Sequence, residues 1–306
     1  MKKTALILAA IFLSVSVFSC VRNAPVFASP DPVIVLPGGE AKDAVIPASC
    51  KTPFSLDLVP EYRGDPCAAV NGGEPYFTDN EKVATSYEYY SVLDRYGRCG
   101  AAVACVGDDL MPTEDREYIG LIKPSGWRSD RYEWIDGEYL FNRCHLIGFQ
   151  LSGENANERN LITGTRYMNV SGMLPYENLV AEYVRKTKKH VLYRVTPIFR
   201  DDEAIARGVL MEAFSTEDNG EGVRFCVFAY NVQPDIILNY LTGENRFNGA
   251  FELPEYDFVI NVKSGKFHKP TCKYALEISE DNAEHYHGSK QSLTDKGYKA
   301  CGFCKP

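Results

Sequence analysis

After its first fifty residues the chain alternates short apolar runs with Gly, Pro, Asp and Asn punctuation, and two longer stretches carry helix-compatible apolar spacing. Gly100 to Val106 is an apolar run of small residues, which predicts a buried strand. Thr78 to Asp94 places Val83, Tyr87, Tyr90 and Leu93 at helix-compatible spacing, so a helix is expected there. Tyr62 to Gly73 and Lys123 to Trp127 read as loops, and Leu110 to Arg116 opens a turn. Tyr132 to Ile135 and Glu138 to Phe141 flank Asp136-Gly137, a dipeptide that readily takes the positive φ angles of a tight turn. A hairpin is therefore expected, with its second strand running into Asn142 to His145. The helical stripe comes next: Pro175 suits a first helical position, Glu177 lies in the first turn, and Leu179, Val180, Tyr183 and Val184 are the apolar positions. Arg185, Lys186, Lys188 and Lys189 close it, where positive charge complements the helix dipole. His190 to Ile198, Gly208 to Glu212 and Val223 to Tyr230 are β-rich, which gives an α+β class with a central antiparallel sheet behind the helix.

The amino terminus departs from this pattern. Lys2 and Lys3 precede an apolar run from Ala5 to Phe18 that is short for a bilayer span, and Ser19-Cys20 follows it. Residues 1–19 read as a signal peptide, and Val17-Phe18-Ser19-Cys20 resembles a bacterial lipobox, which implies a lipid anchor on Cys20. Cleavage after Val26-Phe27-Ala28, giving a freely secreted protein, is the competing reading. Residues 20–48, rich in Pro, Ala and Gly, read as a tether.

Composition sets the scale. With 306 residues and 45% hydrophobic content there is material for a sizeable core. The formal net charge of −8 excludes a protein coated in positive charge, so any polyanion must meet a local basic cleft. Basic residues concentrate between Lys123 and Arg200, Arg194 among them, though such runs often only solvate a face. The ten cysteines suit an oxidising compartment. Cys50, Cys67, Cys99, Cys105, Cys144 and Cys226 allow up to three disulfides in fifteen connectivities, against the alternative of free buried thiols.

Asn142-Arg143-Cys144-His145 is followed by Asn160, Asn169 and Glu177. Taken singly each has a bland role: a histidine satisfied by backbone, asparagines in turns, a glutamate complementing a dipole. Taken as a series they supply a base for water and an oxygen ligand for a hard cation, as metal-assisted phosphodiester cleavage requires. The series resembles the catalytic string of the DNA/RNA non-specific endonucleases, and the resemblance spans Cys50 to Arg246. Leu161 to Arg166, His190 to Pro197 and Asn231 to Pro234 are similar to the branch found in Gram-positive bacteria. The family motif is usually Asp-Arg-Gly-His, from which Asn142 and Cys144 depart.

That resemblance implies a ββα-metal (His-Me finger) core, with His145 as general base and Asn169 as the direct ligand of Mg²⁺, Mn²⁺ being a substitute. It implies that Glu177 and Asn160 hold metal waters or orient Asn169. Many relatives carry an arginine one helical turn after the glutamate, where this chain has Ala181; Arg143, Arg166 and Arg185 are then the candidates for meeting transition-state charge. The expected substrates are DNA and RNA without sequence preference, cut to leave a 5′-phosphate. The rival class is a surface lipoprotein that captures nucleic acid without cutting it, and turnover separates the two. No protein partner is readable from the chain.

The tail reads as a module of its own, after a polar linker around Gly243 to Leu253. His268 and Cys272, then Cys301 and Cys304, give the His-x₃-Cys and Cys-x₂-Cys donors of a closed tetrahedral zinc site. A stretch this short buries little core and needs a staple, either zinc or a disulfide. It resembles the small zinc-binding tails of the type found in the DNA-repair methyltransferase amino terminus and appended to exported bacterial nucleases, and its expected use is docking or extra substrate contact. His285 and His287 are expected to be exposed and uninvolved. The expected organisation is thus 1–19 signal, 20–48 tether, 49–248 endonuclease domain and 256–306 a zinc-ribbon-like module.

Overall fold

The computed structural model describes residues 53–249 and 255–306; the signal, Cys20, the tether and Cys50 lie outside them. In chain order the elements are β1 (Cys67–Ala69), β2 (Tyr87–Tyr90), β3 (Ala102–Val106), β4 (Phe141–His145), α1 (Phe149–Ser152), β5 (Leu161–Thr165), α2 (Leu174–Thr187), β6 (Val191–Ile198), β7 (Gly208–Ser215), β8 (Arg224–Tyr230), β9 (Ile236–Leu238) and β10 (Asn245–Phe247). Six of them form an antiparallel sheet in the order β1-β8-β7-β6-β3-β2. The protein is α+β with this sheet at its centre, as its sequence pattern indicates.

Because side chains alternate across a strand, both faces of the sheet are covered. On one face Tyr193, Val195, Met211 and Val227 pack with Val180, Ala181 and Val184 of α2. Burying each of these valine and methionine side chains stabilises the fold by about 1.5–3 kcal/mol. Leu179, assigned to the stripe by spacing, is exposed instead. On the other face Leu192 and Phe214 meet Phe77 and Tyr87, while Leu210 and Phe228 are covered by Phe54, Leu56 and Tyr62. Arg194 belongs to this second face: it is 1% exposed, and its Nε and Nη2 lie 2.7 and 2.9 Å from the Glu212 carboxylate directly opposite. Glu81 completes the network at 3.0 Å. A guanidinium buried so deeply is stable only with such partners, and they remove Arg194 from any basic cleft.

Three expectations change. Thr78 to Asp94 contains a single 3₁₀ turn, Asp79–Glu81, and then strand β2 rather than a helix. Tyr87 and Tyr90 would share a helix face, but three residues apart in a strand they pack on opposite faces of the sheet. The Asp136-Gly137 turn forms, with Gly137 at φ +74°, yet its flanks make only one bridge, Arg131 to Tyr139. The strand that carries His145 pairs instead with β5, in the register Cys144 to Ile162 and His145 to Leu161. Lastly, Cys67, Cys99, Cys105, Cys144 and Cys226 are free thiols, so no disulfide joins the described core cysteines. Burial pushes the Cys144 thiol far above its ordinary value; it packs as a small hydrophobe beside Gly164, where a Cβ would lie 2.4 Å from its Sγ.

Part of the expected linker is also structured, since β10 pairs with β9 and Phe247 packs edge to face on Trp134. The tail has its own sheet of β11 (Tyr256–Asn261), β12 (Lys266–His268), β13 (Ala283–Gly288) and β14 (Lys299–Ala300), in the order β13-β11-β12-β14. Short helices α3 (Lys273–Leu276) and α4 (Lys290–Asp295) pack on it. Its two small apolar clusters are centred on Phe267 and on Cys272, too little core to hold the module unaided. Among the described residues no helix is long and apolar enough to cross a membrane.

Candidate active site

The β4–β5 pair and α2 make the ββα unit, and His145 ends its first strand. The ring is 6% exposed. Nε2 lies 2.8 Å from the carbonyl oxygen of Asn155, and Nδ1 lies 3.2 Å from Nη2 of Arg116. A carbonyl oxygen only accepts and a guanidinium only donates, so Nε2 carries the hydrogen and Nδ1 keeps its lone pair. Burial pushes His145 down to about 4; the Asn155 hydrogen bond opposes this and the Arg116 charge adds to it. At neutral pH the ring is therefore an uncharged base. Its Nδ1 is the basic atom.

A cavity of about 390 Å³ opens at this histidine, lined also by Arg116, Arg143, Arg166, Asn169 and Glu177. Asn169 sits in a π-helical turn, Met168–Met173, that runs into α2. Such wide turns are common where a backbone is bent to present a functional side chain. Nδ2 of Asn169 is 3.3 Å from Oδ1 of Asn142, which also accepts from Arg166 at 3.4 Å. Oδ1 of Asn169 is thereby left as the end that can ligate a cation.

Glu177 does not face outward from the first turn of α2 as its position there suggests; it is 9% exposed and lines the cavity. Burial pushes its carboxyl up to about 7, while Arg116 and Gln150 pull the other way. Gly148 makes room for it, since a Cβ there would lie 2.5 Å from Oε2. Gly148 has an ordinary backbone (φ −58°), so the requirement is one of space.

The other expected residues divide. Arg143 lines the cavity with its Nη2 donating to the Gly120 carbonyl at 2.7 Å and its guanidinium 3.9 Å from the Trp127 ring centre. Arg166 lines it as well, with Nη2 2.6 Å from Asp136. Asn160 does not reach the cavity: it is fully buried, its Oδ1 accepting from Ile147 N–H at 2.8 Å and its Nδ2 donating to Ile147 O at 3.0 Å. With both ends of its amide held by backbone, it clamps the turn that leaves His145. Arg185 is exposed in the last turn of α2 and lies outside the cavity lining. Ala181 is fully buried against the sheet.

Arg116 is the residue that sequence reasoning missed. It stands among Glu114, Asp115 and Glu117 in an irregular segment, where nothing in spacing or composition separates it from a solvated charge run.

A second cluster forms in the tail. The donor atoms of His268, Cys272, Cys301 and Cys304 all lie within 4.8 Å of one another. Sγ of Cys272 is 3.6 Å from Nδ1 of His268, and all three cysteines are free thiols. Burial, with Lys266 nearby, holds His268 below its ordinary value and so favours the neutral, ligating form. Four N and S donors this close match a closed tetrahedral metal site. His285 and His287 are exposed on β13 and are not members of the cluster, and His287 is paired to Asp257.

The family model for DNA/RNA non-specific endonuclease matches residues 78–217. A deoxyribonuclease of Streptococcus dysgalactiae subsp. equisimilis is 26% identical over a stretch covering 54% of this chain and 62% of that protein. The chain thus spans less than two thirds of that relative. The crystal structure of NucA from Streptococcus agalactiae with magnesium bound is 25% identical, with a TM-score of 0.52 over 59% of this chain and 86% of that one. The same enzyme without metal gives 23% and 0.54 over 63% and 92%, which speaks for the fold.

The Gly148 contact makes the arrangement testable. A Gly148→Ala chain should fold normally by circular dichroism, and if the cavity is the site of a metal-assisted nuclease like the relatives above, cleavage of plasmid DNA should fall about 10–100-fold from the parent's, the usual cost of misplacing a group around a metal site. Full activity in this variant would show that the Glu177 carboxylate need not sit where the structure puts it.

Proposed function

We propose that this chain, whose residues 78–217 match the DNA/RNA non-specific endonuclease family model, is a member of that family and hydrolyses phosphodiester bonds of DNA and RNA with the help of a divalent cation. The observation that carries the reading is a buried, neutral histidine with its Nδ1 lone pair held in the same cavity as Asn169 and Glu177. Merely capturing DNA requires no such base, which disfavours a binding lipoprotein.

His145 Nδ1 takes a proton from the attacking water as its oxygen closes on phosphorus. Nε2–H stays on the Asn155 carbonyl, so the ring gains positive charge without turning. Arg116, beside both His145 and Glu177, is placed to meet the negative charge growing on the phosphate, the task for which position 181 holds only an alanine. Arg143 and Arg166 orient the backbone on either side, and phosphate contacts alone give little sequence preference.

The residues fit a hard cation. Asn169 offers an amide oxygen, and a carboxylate as buried as Glu177 is stabilised by a positive ion beside it. Mg²⁺ keeps most of its waters, so Asn169 as direct ligand with Glu177 holding coordinated water is sufficient, and Mn²⁺ suits the same oxygen donors. When bound, the cation supplies charge neutralisation for the phosphorane oxygens and the departing 3′ oxygen, leaving a 5′-phosphate. Asn160 acts on this site through the Ile147 turn.

Two further parts belong to the reading. The tail cluster is proposed to hold one structural Zn²⁺, its four positions filled and none left for substrate. The chain is proposed to be exported, at residue 20 lipid-anchored, and to end its nuclease domain near residue 248. If so, Cys20→Ser should move the protein from the membrane fraction to the soluble one, and a wild-type amino terminus at Ser29 would contradict the anchor.

Plasmid and RNA should be degraded with Mg²⁺ and not with chelator. His145→Ala should cut about 10²–10⁴-fold more slowly with its DNA affinity intact. At saturating Mg²⁺ the wild-type rate should not fall with an ordinary histidine titration near 6.5, because His145 takes a proton only near 4. The Mg²⁺ concentration for half activity should rise as pH drops below about 7, where protons compete for Glu177. Absence of any cleavage, or a fully active His145→Ala chain, would overturn the assignment.

A further inference from the structure

The Cys/His cluster of the tail accounts for four side chains but not for what stands around it. Tyr274 comes two residues after Cys272, and Phe303 lies between Cys301 and Cys304. Segments from opposite ends of the module thus meet at the cluster, and their rings pack edge to face with centroids 5.3 Å apart at 83°. Both remain open to solvent, Tyr274 at 44% and Phe303 at 60% exposure. The Nζ of Lys273 stands 4.8 Å from one ring centre and 4.6 Å from the other. These rings also border a groove of about 730 Å³ with Lys266, Asn261, Asn282 and one carboxylate, Glu277.

Two physical points narrow what this surface receives. Exposed rings offer flat faces on which another planar group can stack, and an ammonium held beside them disfavours a purely apolar cover. Lys266, which lines the groove, and Lys273, which stands over the rings, are exposed and, among the described residues, neither is in an ion pair. Flat π faces beside unneutralised lysines match a flat base joined to a phosphate. Resting on the nuclease reading above, we propose that Tyr274, Phe303 and Lys273 form a stacking platform for unpaired bases of single-stranded nucleic acid, assembled when the His268, Cys272, Cys301 and Cys304 cluster closes. Duplex DNA keeps its bases stacked on one another and should gain only the lysine contacts.

The test uses the full chain carrying His145→Ala, so that the probe survives, and a fluorescent oligothymidine of about 20 nucleotides, long enough to span an electrostatic groove. Its affinity is compared with that of a duplex of the same length by anisotropy, with zinc measured by elemental analysis. Tyr274→Leu with Phe303→Leu keeps apolar bulk but removes the π faces; it should weaken single-strand binding about tenfold or more and duplex binding hardly at all. Tyr274→Phe should bind as the parent does, and Lys273→Gln should lower the salt dependence of binding. One zinc per chain is expected throughout. Unchanged single-strand affinity in the leucine variant would overturn the platform, as would an equal loss for duplex, which would mark a general phosphate contact. A parent without zinc would overturn its assembly by metal. A wild-type chain that cuts while the leucine variant binds normally would sink the platform alone; a chain that never cuts would sink the nuclease reading.

Discussion

A buried imidazole must satisfy both ring nitrogens, and the carbonyl oxygen of Asn155 decides how His145 does so. That acceptor fixes the hydrogen on Nε2 and leaves Nδ1 as the basic atom facing Arg116 and the cavity. The hydrogen bond itself stabilises by only about 0.5–1.5 kcal/mol, but a buried N–H left without it would cost about 1–3 kcal/mol. The tautomer is therefore set by the asymmetry between a made and an unmade bond. Supporting structure serves this placement: pairing of His145 with Leu161 fixes the strand end, and the Asn160 amide locks Ile147 immediately beyond it.

Charge in the cavity follows from the same burial. Glu177 is pushed up to about 7 although Arg116 pulls it down, so desolvation outweighs the guanidinium. A divalent cation would reverse that balance. Arg116, Arg143 and Arg166 give the cavity a positive wall in a chain whose formal net charge is −8, so local placement and not the total equips it for a polyanion. Arg194, in the same basic stretch of sequence, contributes nothing there because Glu212 and Glu81 hold it beneath the opposite face of the sheet.

Much of this was legible in the sequence where local signals and tertiary structure agree. The strands from Val191 to Tyr230 and the helix opened by Pro175 follow from β-branched runs and an apolar stripe. The tail donors follow from ligand spacing. What was not legible depends on partners remote in sequence. Tyr87 and Tyr90 fit a helix until β3 is known to lie beside them. Asp136-Gly137 announces a turn but not that His145's strand pairs with Leu161–Thr165. Asn160 reads as a site residue because its chemistry is right, whereas its amide is consumed by Ile147. Arg116 is invisible for the converse reason, an ordinary charged residue that only folding brings to the histidine.

The state of the His145 ring tests the account most directly. Nitrogen-15 NMR of the imidazole in the metal-free chain should show, at pH 6, a neutral ring with its proton on Nε2 and a midpoint of titration near 4. A proton on Nδ1, or a midpoint near the ordinary 6.5, would mean that the Asn155 carbonyl does not govern the ring and that this histidine is not held ready as a base.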